Sequence, residues 1–308
     1  MIQVSLLVCT RDRGASLDRL LTSITRAAAG FDAIEVVVVD NGSSDDTLTR
    51  LAAWRSRQCF PVTVVAEPRP GLARARNAGL SRVRGDIVAM TDDDCVLDAG
   101  FFAMLVARFD QAPSPVVIGG RILLGDPDDL AVTIKLEDYA MEAPRNRFPN
   151  GFVMGANLAF TRDVVARIGS FDERFGAGGR FRAAEDADFV IRALRHDIPV
   201  RYDPYFVVAH HHGRRSAETL RQLLAGYAFG DGALYAKYLF DGSRIARAIW
   251  GDVWSAVAEL GGGERPFPSV RFFHAFRLLG IVRGFTAFAS ALIANKVHHS
   301  DGARRPSK

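Results

Sequence analysis

Cysteine is scarce: Cys9, Cys59 and Cys95 are the three in 308 residues, odd in number, widely spaced and without a CxxC pair. That excludes a thiolate zinc clamp and a dithiol redox site, and points to a reducing compartment. Two common nucleotide-site signatures are also missing. The turn after the first apolar run reads Thr10-Arg11-Asp12-Arg13-Gly14 instead of G-x-G-x-x-G, which disfavours NAD binding, and no G-x-x-x-x-G-K-[ST] occurs. Met1-Ile2-Gln3 has no basic character and the run Val4 to Cys9 stops at Thr10-Arg11-Asp12, so no secretory signal is expected. Long uncharged runs are lacking too. Phe272 to Ile293 is apolar nearly all round but carries His274, Arg277 and Arg283, and its longest uncharged stretch is the twelve residues from Gly284 to Asn295. A spanning helix needs ~20 predominantly apolar residues, so this segment reads as an embedded or surface-lying helix. The expected location is cytoplasmic, with the cytoplasmic face of the membrane as the second station.

What is present is a 48% hydrophobic chain with 39 basic and 35 acidic side chains, net +4. That excludes a disordered or fibrous chain and allows one large domain with an extension, or two domains. From Arg214 onward there are 14 basic and 7 acidic residues, +7, leaving 25 against 28, −3, for residues 1 to 213. The basic excess therefore belongs to the last third, which contains no recognised nucleic-acid module, and nucleic acid is not an expected partner.

The first half alternates β-like apolar runs with helical spacing, as a sheet covered on both faces requires. Val4 to Cys9 reads as a strand; Leu17, Leu20, Leu21 and Ile24 follow at helical spacing, with Ser16 as the expected cap. Ile34 to Val39 is a β-branched run suited to a strand buried on both faces. A helix with Leu48 and Leu51 inward, a strand Val62 to Ala66, a short helix Ala73 to Leu80 and a strand Ile87 to Met90 come next. Beyond these lie strand-like Val116 to Gly119, an irregular stretch Asp126 to Asn150, strand-like Phe152 to Phe160, a helix Glu185 to Arg195, and short strands Val200 to Tyr202 and Phe206 to Ala209. After His210-His211-His212 the chain turns helical and basic, interrupted by a Gly261-Gly262-Gly263 linker and closed by a polar tail from Ser300.

Several motifs could carry chemistry, each against a plainer reading. Asp92-Asp93-Asp94 leaves the end of a buried strand, where carboxylates at i and i+2 can hold Mg²⁺ or Mn²⁺; the plain alternative is a solvated turn capping the helix near Phe101. Asp40 ends another buried strand, facing a nucleobase or ribose, or closing an Asx turn. Glu185-Asp186-Ala187-Asp188 opens a helix after a glycine-rich loop, where one acid can serve as a general base, although the helix dipole alone favours acids there. In His210-His211-His212 successive side chains alternate, so one or two face a common cleft. Arg74, Arg76 and Asn77 could face an anionic substrate or form a solvated helix face.

Taken in order, Thr10-Arg11-Asp12-Arg13, VVVVDNGSSDDT, GLARARNAG, GDIVAMTDDDC, MGANLAF, FDERFGAGGRFRAAEDADFVIRAL and a late histidine resemble the family-2 inverting glycosyltransferases with a GT-A nucleotide-sugar domain, over roughly residues 1 to 215. The resemblance implies an α/β fold of Rossmann-like type: a central mixed sheet flanked by helices, with a helical extension. A catalytic domain at 1–215, a basic helical extension at 216–299 near acceptor or membrane, and a disordered tail at 300–308 are the expected units. It implies a nucleotide-diphosphate sugar as donor and Mn²⁺ or Mg²⁺ as cofactor. Thr10, Arg11 and Asp40 would line the nucleoside pocket with Arg74 and Asp86 nearby; Asp92 would approach the ribose with Asp93 also on the donor, and Asp94 would bind the metal of the DxD element. Gly155, Ala156 and Asn157 would border the sugar. Asp186 would be the catalytic base and Glu185 would orient the acceptor, while His210 would be the late metal or diphosphate ligand, with His211 or His212 as alternatives.

The implied activity is metal-dependent inverting transfer of a sugar to a hydroxyl acceptor, saccharide or lipid-linked, in cell-surface polysaccharide or glycolipid synthesis. Sugar-phosphate nucleotidyl transfer and non-catalytic nucleotide-sugar binding are the competing functions. The former usually brings a glycine-rich phosphate loop after the first strand, which Thr10-Arg11-Asp12-Arg13-Gly14 does not supply. For Phe272 to Ile293 with the basic excess, contact with an anionic membrane is favoured over simple packing against the catalytic domain.

Overall fold

A computed structural model describes residues 2–144, 148–149, 151–240, 243–262, 267, 270 and 272–302. Its first half is built on four parallel strands, β1 (Val4–Thr10), β2 (Ile34–Asp40), β3 (Val62–Ala66) and β4 (Ile87–Asp92), paired in the order β3-β2-β1-β4. Every residue of β2 is buried, as its unbroken β-branched run requires. The alternation of the pleat splits these strands between two cores. Leu6, Val8, Val36 and Val38 pack with Leu17, Leu20 and Ile24 of α1 (Gly14–Ala27) on one face. Leu7, Val37 and Val39 pack on the other face with Ala73 and Ala75 of α3 (Leu72–Leu80) and Phe189 and Val190 of α6 (Glu185–Arg195).

Beyond β4 the sheet becomes mixed. β5 (Cys95–Leu97), β6 (Val117–Leu124), β7 (Met141–Glu142), β8 (Asn157–Thr161) and β9 (Val200–His210) complete nine strands among the described residues, in the order β3-β2-β1-β4-β8-β6-β9-β5 with β7 on β9. β8 runs antiparallel to both β4 and β6, and β5 runs antiparallel to β9. The expected α/β architecture with a C-terminal helical extension is therefore present.

Local expectations differ in four places. Ser16 does not cap α1: the helix begins at Gly14, and the Ser16 hydroxyl donates back to Arg13 O at 2.7 Å. In α2 (Thr47–Arg55), Thr47, Leu51 and Trp54 face inward while Leu48 is exposed. Only Asn157–Thr161 of the run from Phe152 is strand, because Phe152 N bonds to Pro149 O and Asn157 N to Met154 O, folding the intervening chain into turns. The two short strands near residue 205 are one, β9, because a register shift absorbs the residues between them: Gly120 pairs with Asp203 and Arg121 with Val207. Pro204, which has no N–H to give, falls in that bulge.

The last third forms α7 (Ala217–Lys237), α8 (Ser243–Leu260) and α9 (Phe273–Gly302). Ser216 starts α7 by accepting from Thr219 N, and Glu259 of α8 accepts from Phe273 N and His274 N at the start of α9. Leu234 and Tyr235 of α7 and Ile281 and Phe288 of α9 share one core cluster with Phe175, Phe181, Ala187 and Ile191. Phe273–Ala294 is long and apolar enough by length and composition to cross a membrane, while Ile281 and Phe288 turn one side of it into this core. The helix continues through Ser300 to Gly302, where a tail was expected; 303–308, like Gly263 of the glycine linker and Asn150, lie outside the described residues.

Candidate active site

The C-terminal ends of β1 and β4 are brought together by their parallel pairing, Cys9 opposite Asp92. Asp93 and Asp94 form the turn between β4 and β5, and antiparallel pairing of β5 with β9 sets Cys95 opposite His210. The register thus carries His210, distant in sequence, across from the acidic turn. A cavity of about 670 Å³ opens there, within the range of ligand sites. From the expected set, Thr10, Arg11, Asp92, Asp93, Asp94, Glu185, Asp186 and His210 line it, as do Gly155 and Ala156.

Asp94 Oδ1 lies 3.1 Å from His210 Nε2, and Asp94 Oδ2 lies 3.2 Å from the Arg13 guanidinium. Burial works against the charge of Asp94, but His210 and Arg13 hold its carboxyl below its ordinary value. Burial alone would lower the His210 imidazole; the Asp94 carboxylate keeps it raised instead. Asp93 pairs with Arg13 at 3.0 Å, yet burial pushes its carboxyl up to about 6. His210 Nδ1 sits 3.2 Å from Thr133 O and can donate its N–H to that carbonyl, which leaves Nε2 on the Asp94 side, donating to the carboxylate when protonated and able to offer its lone pair to a cation when neutral. Ligand atoms of Asp94, His210 and Cys95 lie within 4.8 Å of one another. A carboxylate and an anchored imidazole suit a divalent cation such as Mn²⁺, so these residues fit the metal that the resemblance implies. His211 and His212 turn elsewhere: His211 packs on Gly125, and His212 Nε2 is 3.1 Å from Leu130 O.

Across the cavity, α6 starts at Glu185 behind Ala184, whose φ of 72° is left-handed. Asp186 Oδ2 accepts from Gly155 N at 2.9 Å and Oδ1 from Ala187 N at 2.7 Å. A carboxylate offers about four lone-pair sites, so acceptor capacity remains free on both oxygens. Glu185 is buried and bonded to Arg76 at 2.8 Å, with the same guanidinium 3.5 Å from Asp92. Burial outweighs the arginine and pushes the Glu185 carboxyl up to about 7.

Four expected residues do not line the cavity. Asp86 stands just before β4, at the opposite end from Asp92, and pairs with Arg162 at 3.3 Å. Arg74 turns outward to Glu173 at 3.0 Å. Asn157 is buried, its amide donating to Arg121 O and Phe206 O, so it braces β8 against its neighbours. Asp40 is buried beside Thr10 in the sheet, with Ser43 N 3.3 Å from its carboxylate. The lining also holds groups not assigned a role from sequence: Arg13, Asn41 and Arg182, and from α7 Gln222. Asn41 is placed by bonds to Glu67 O, Arg69 O and Gly71 N. Arg214, which with Arg215 follows the histidines in sequence as a candidate phosphate contact, lines the cavity too. Tyr227 of α7 also reaches the cavity, whereas Tyr235 and Tyr238 are buried on Asp252 and Asp188.

Comparison with known proteins bears on the family and the fold. The chain is 25% identical over 206 residues to the glucosyl-dolichyl phosphate glucuronosyltransferase of Haloferax volcanii, covering 62% of this chain and 63% of that protein. It is 26% identical over 243 residues to the pre-mycofactocin glycosyltransferase of Mycobacterium tuberculosis, covering 75% and 46% respectively. The chain thus spans about half to two thirds of the length of these relatives. Among solved structures, the mannosyltransferase PcManGT of Pyrobaculum calidifontis, in complex with GDP-Man and Mn²⁺, aligns over 92% of this chain and 86% of its own with a TM-score of 0.67 at 19% identity, a likeness of GT-A fold. The glycosyl transferase family 2 profile matches residues 5–169, more than half of the chain, and the chain belongs to that family.

Proposed function

We propose that the protein transfers a sugar from a nucleotide-diphosphate donor to a hydroxyl acceptor by a single inverting displacement. The observation that carries this reading is the convergence on one cavity of the Asp94–His210 pair and, from α6, the Asp186 carboxylate with free acceptor capacity. Asp94 and His210 would hold a divalent cation, Mn²⁺ or Mg²⁺, which when bound neutralises charge on the departing diphosphate. Thr10, Arg11 and Asn41 border the end of the cavity nearest β1 and β2, where the nucleoside would lie. Asp186 would take the proton of the attacking hydroxyl, held in place by the N–H groups of Gly155 and Ala187. Glu185, tied to Arg76, would fix the start of α6 instead of facing the acceptor.

A lipid-linked acceptor, in glycolipid or cell-surface polysaccharide synthesis at the cytoplasmic face of a membrane, is the acceptor class we favour. It is supported by the Haloferax relative, whose name specifies a dolichyl phosphate substrate. The test is a thermal-shift screen of UDP-, GDP- and dTDP-sugars with and without Mn²⁺, followed by product analysis. Stabilisation by one nucleotide sugar that requires Mn²⁺ and is lost in Asp94→Ala is expected, with release of nucleoside diphosphate. Release of pyrophosphate instead would assign the site to nucleotidyl transfer.

A further inference from the structure

α8 is apolar on two opposite sides. Its inner side carries Ile245, Ile249 and Ala256 toward the shared core and the chain around α9. Its outer side carries Trp250, Val253, Trp254 and Val257, which at 100° per residue fall within one arc of about 100°. Trp250 and Trp254 are 68% and 63% exposed, and Val257 55%. Phe240, at the end of the turn leaving α7, is 97% exposed. Single exposed apolar residues need no explanation, but two tryptophans and two valines on one arc of one helix do.

The charges on these helices are sorted by side. Both acids of α8 point inward: Asp252 to Arg277 and the Tyr235 hydroxyl, Glu259 to the first N–H groups of α9. α9 has no acid from Phe273 to Ala294. On its outer side Leu279, Val282 and Arg283 are exposed, and Arg247 is exposed beside the tryptophan arc of α8. Among the described residues of α8 and of α9 to Ala294, the outward faces thus combine exposed apolar residues and arginines, and the acids of these helices face inward. A water-facing protein surface interleaves both signs; this one matches an anionic lipid headgroup layer, with the tryptophans at interfacial depth and the arginines at the phosphates.

The geometry points to the outer face of α8, continued by Leu279, Val282 and Arg283 of α9, as a docking surface for an anionic bilayer, inserted in the plane of the interface with no crossing. The inference is independent of the donor chemistry, since none of these residues lines the cavity.

The chain holds three tryptophans, and Trp54 is only 5% exposed, so a change in tryptophan emission on adding vesicles reports on Trp250 and Trp254. With the full chain and vesicles of phosphatidylglycerol and phosphatidylcholine, a blue shift of emission and co-flotation are expected, both weakening with salt. Pure phosphatidylcholine vesicles should bind much less. Trp250→Ser/Trp254→Ser, checked for unchanged circular dichroism and unchanged stabilisation by donor, should bind anionic vesicles about tenfold or more weakly. Flotation equal on neutral and anionic vesicles, no blue shift, or undiminished binding by the double variant overturns the assignment. So does light scattering that finds a dimer made monomeric by the same substitutions, which would give the face to a second copy of the chain. Because donor stabilisation is read on the same samples, failure of docking and failure of the transferase reading are distinguishable.

Discussion

Asp186 and Glu185 are neighbours in sequence with opposite surroundings, and under the proposed transferase reading that difference gives them different work. Asp186 keeps lone pairs free toward the cavity, so Asp186→Asn should lower kcat by about 10²–10⁴-fold with donor KM nearly unchanged, measured by nucleoside diphosphate release. Full activity in that variant would sink the base assignment. Glu185 is instead buried against Arg76, with its carboxyl raised to about 7 from the ordinary 4.5. In the unfolded chain this group ionises near 4.5, while in the folded chain it keeps its proton until about 7. Between those values the unfolded state binds fewer protons than the folded one, so this group's contribution to stability falls as pH rises through that window. Urea unfolding of Glu185→Gln as a function of pH should show a flatter profile from about 4.5 to 7 than the parent chain; an identical slope in both would remove Glu185 as its source. The misplacement of Asp86 is a lesson at the same scale. Its type fitted a binding role, but it stands at the start of β4, whereas open α/β sheets gather ligands at the strands' carboxyl ends, where Asp92 is. His210 was nameable only as one of three, because a register shift reverses which side chain faces the cavity, and that register is set by pairing with Cys95 far back in the chain.

Elements were legible where their burial repeats along the chain. The valine run of β2 and the spacing of α1 declare their partners locally. β9 did not, since its continuity across Pro204 depends on a bulge opposite Gly120 and Arg121, a non-local feature. Nor did the α7–α9 contact, which depends on glycines that look like helix breakers. Gly232 on α7 and Gly280 and Gly284 on α9 let the two backbones touch: a Cβ at Gly232 would collide with Ile281 O, and one at Gly284 with Phe229 O. Backbone atoms cannot swing aside as a side chain can, so Gly284→Ala should cost at least about 1–3 kcal/mol by overpacking. Gly251, on α8 with nothing within 4 Å of its would-be Cβ, is the control: Gly251→Ala should be neutral or stabilise by up to about 1 kcal/mol. Urea midpoints of the two variants check the contrast, and equal midpoints would mean that α7 and α9 do not rely on close backbone approach.

At the scale of the whole molecule, the sheet and the C-terminal helices meet at the cavity. α7 supplies Gln222, Leu223 and Tyr227 to its lining, and a buried set of charges ties the three helices together behind them. Arg277 of α9 bonds Asp231 of α7 at 2.7 Å and Asp252 of α8 at 2.9 Å, and Asp252 in turn accepts from Tyr235 at 2.8 Å. Both Asp231 and Arg277 reach the cavity, so the same bonds that hold α8 also shape the site wall. Sequence shows the opposite charges in this third of the chain but not their pairing, because the three residues come from three helices and the net +7 conceals two inward acids. Arg277→Met should strand two carboxylates in a largely dry setting and cost roughly 3–5 kcal/mol, read by urea unfolding. Adding Asp231→Asn and Asp252→Asn removes the stranded charges and should recover a large part of that loss. If the triple variant is no more stable than Arg277→Met, the penalty comes from lost packing of the arginine stem, and the charge cluster does not hold the helices to the site.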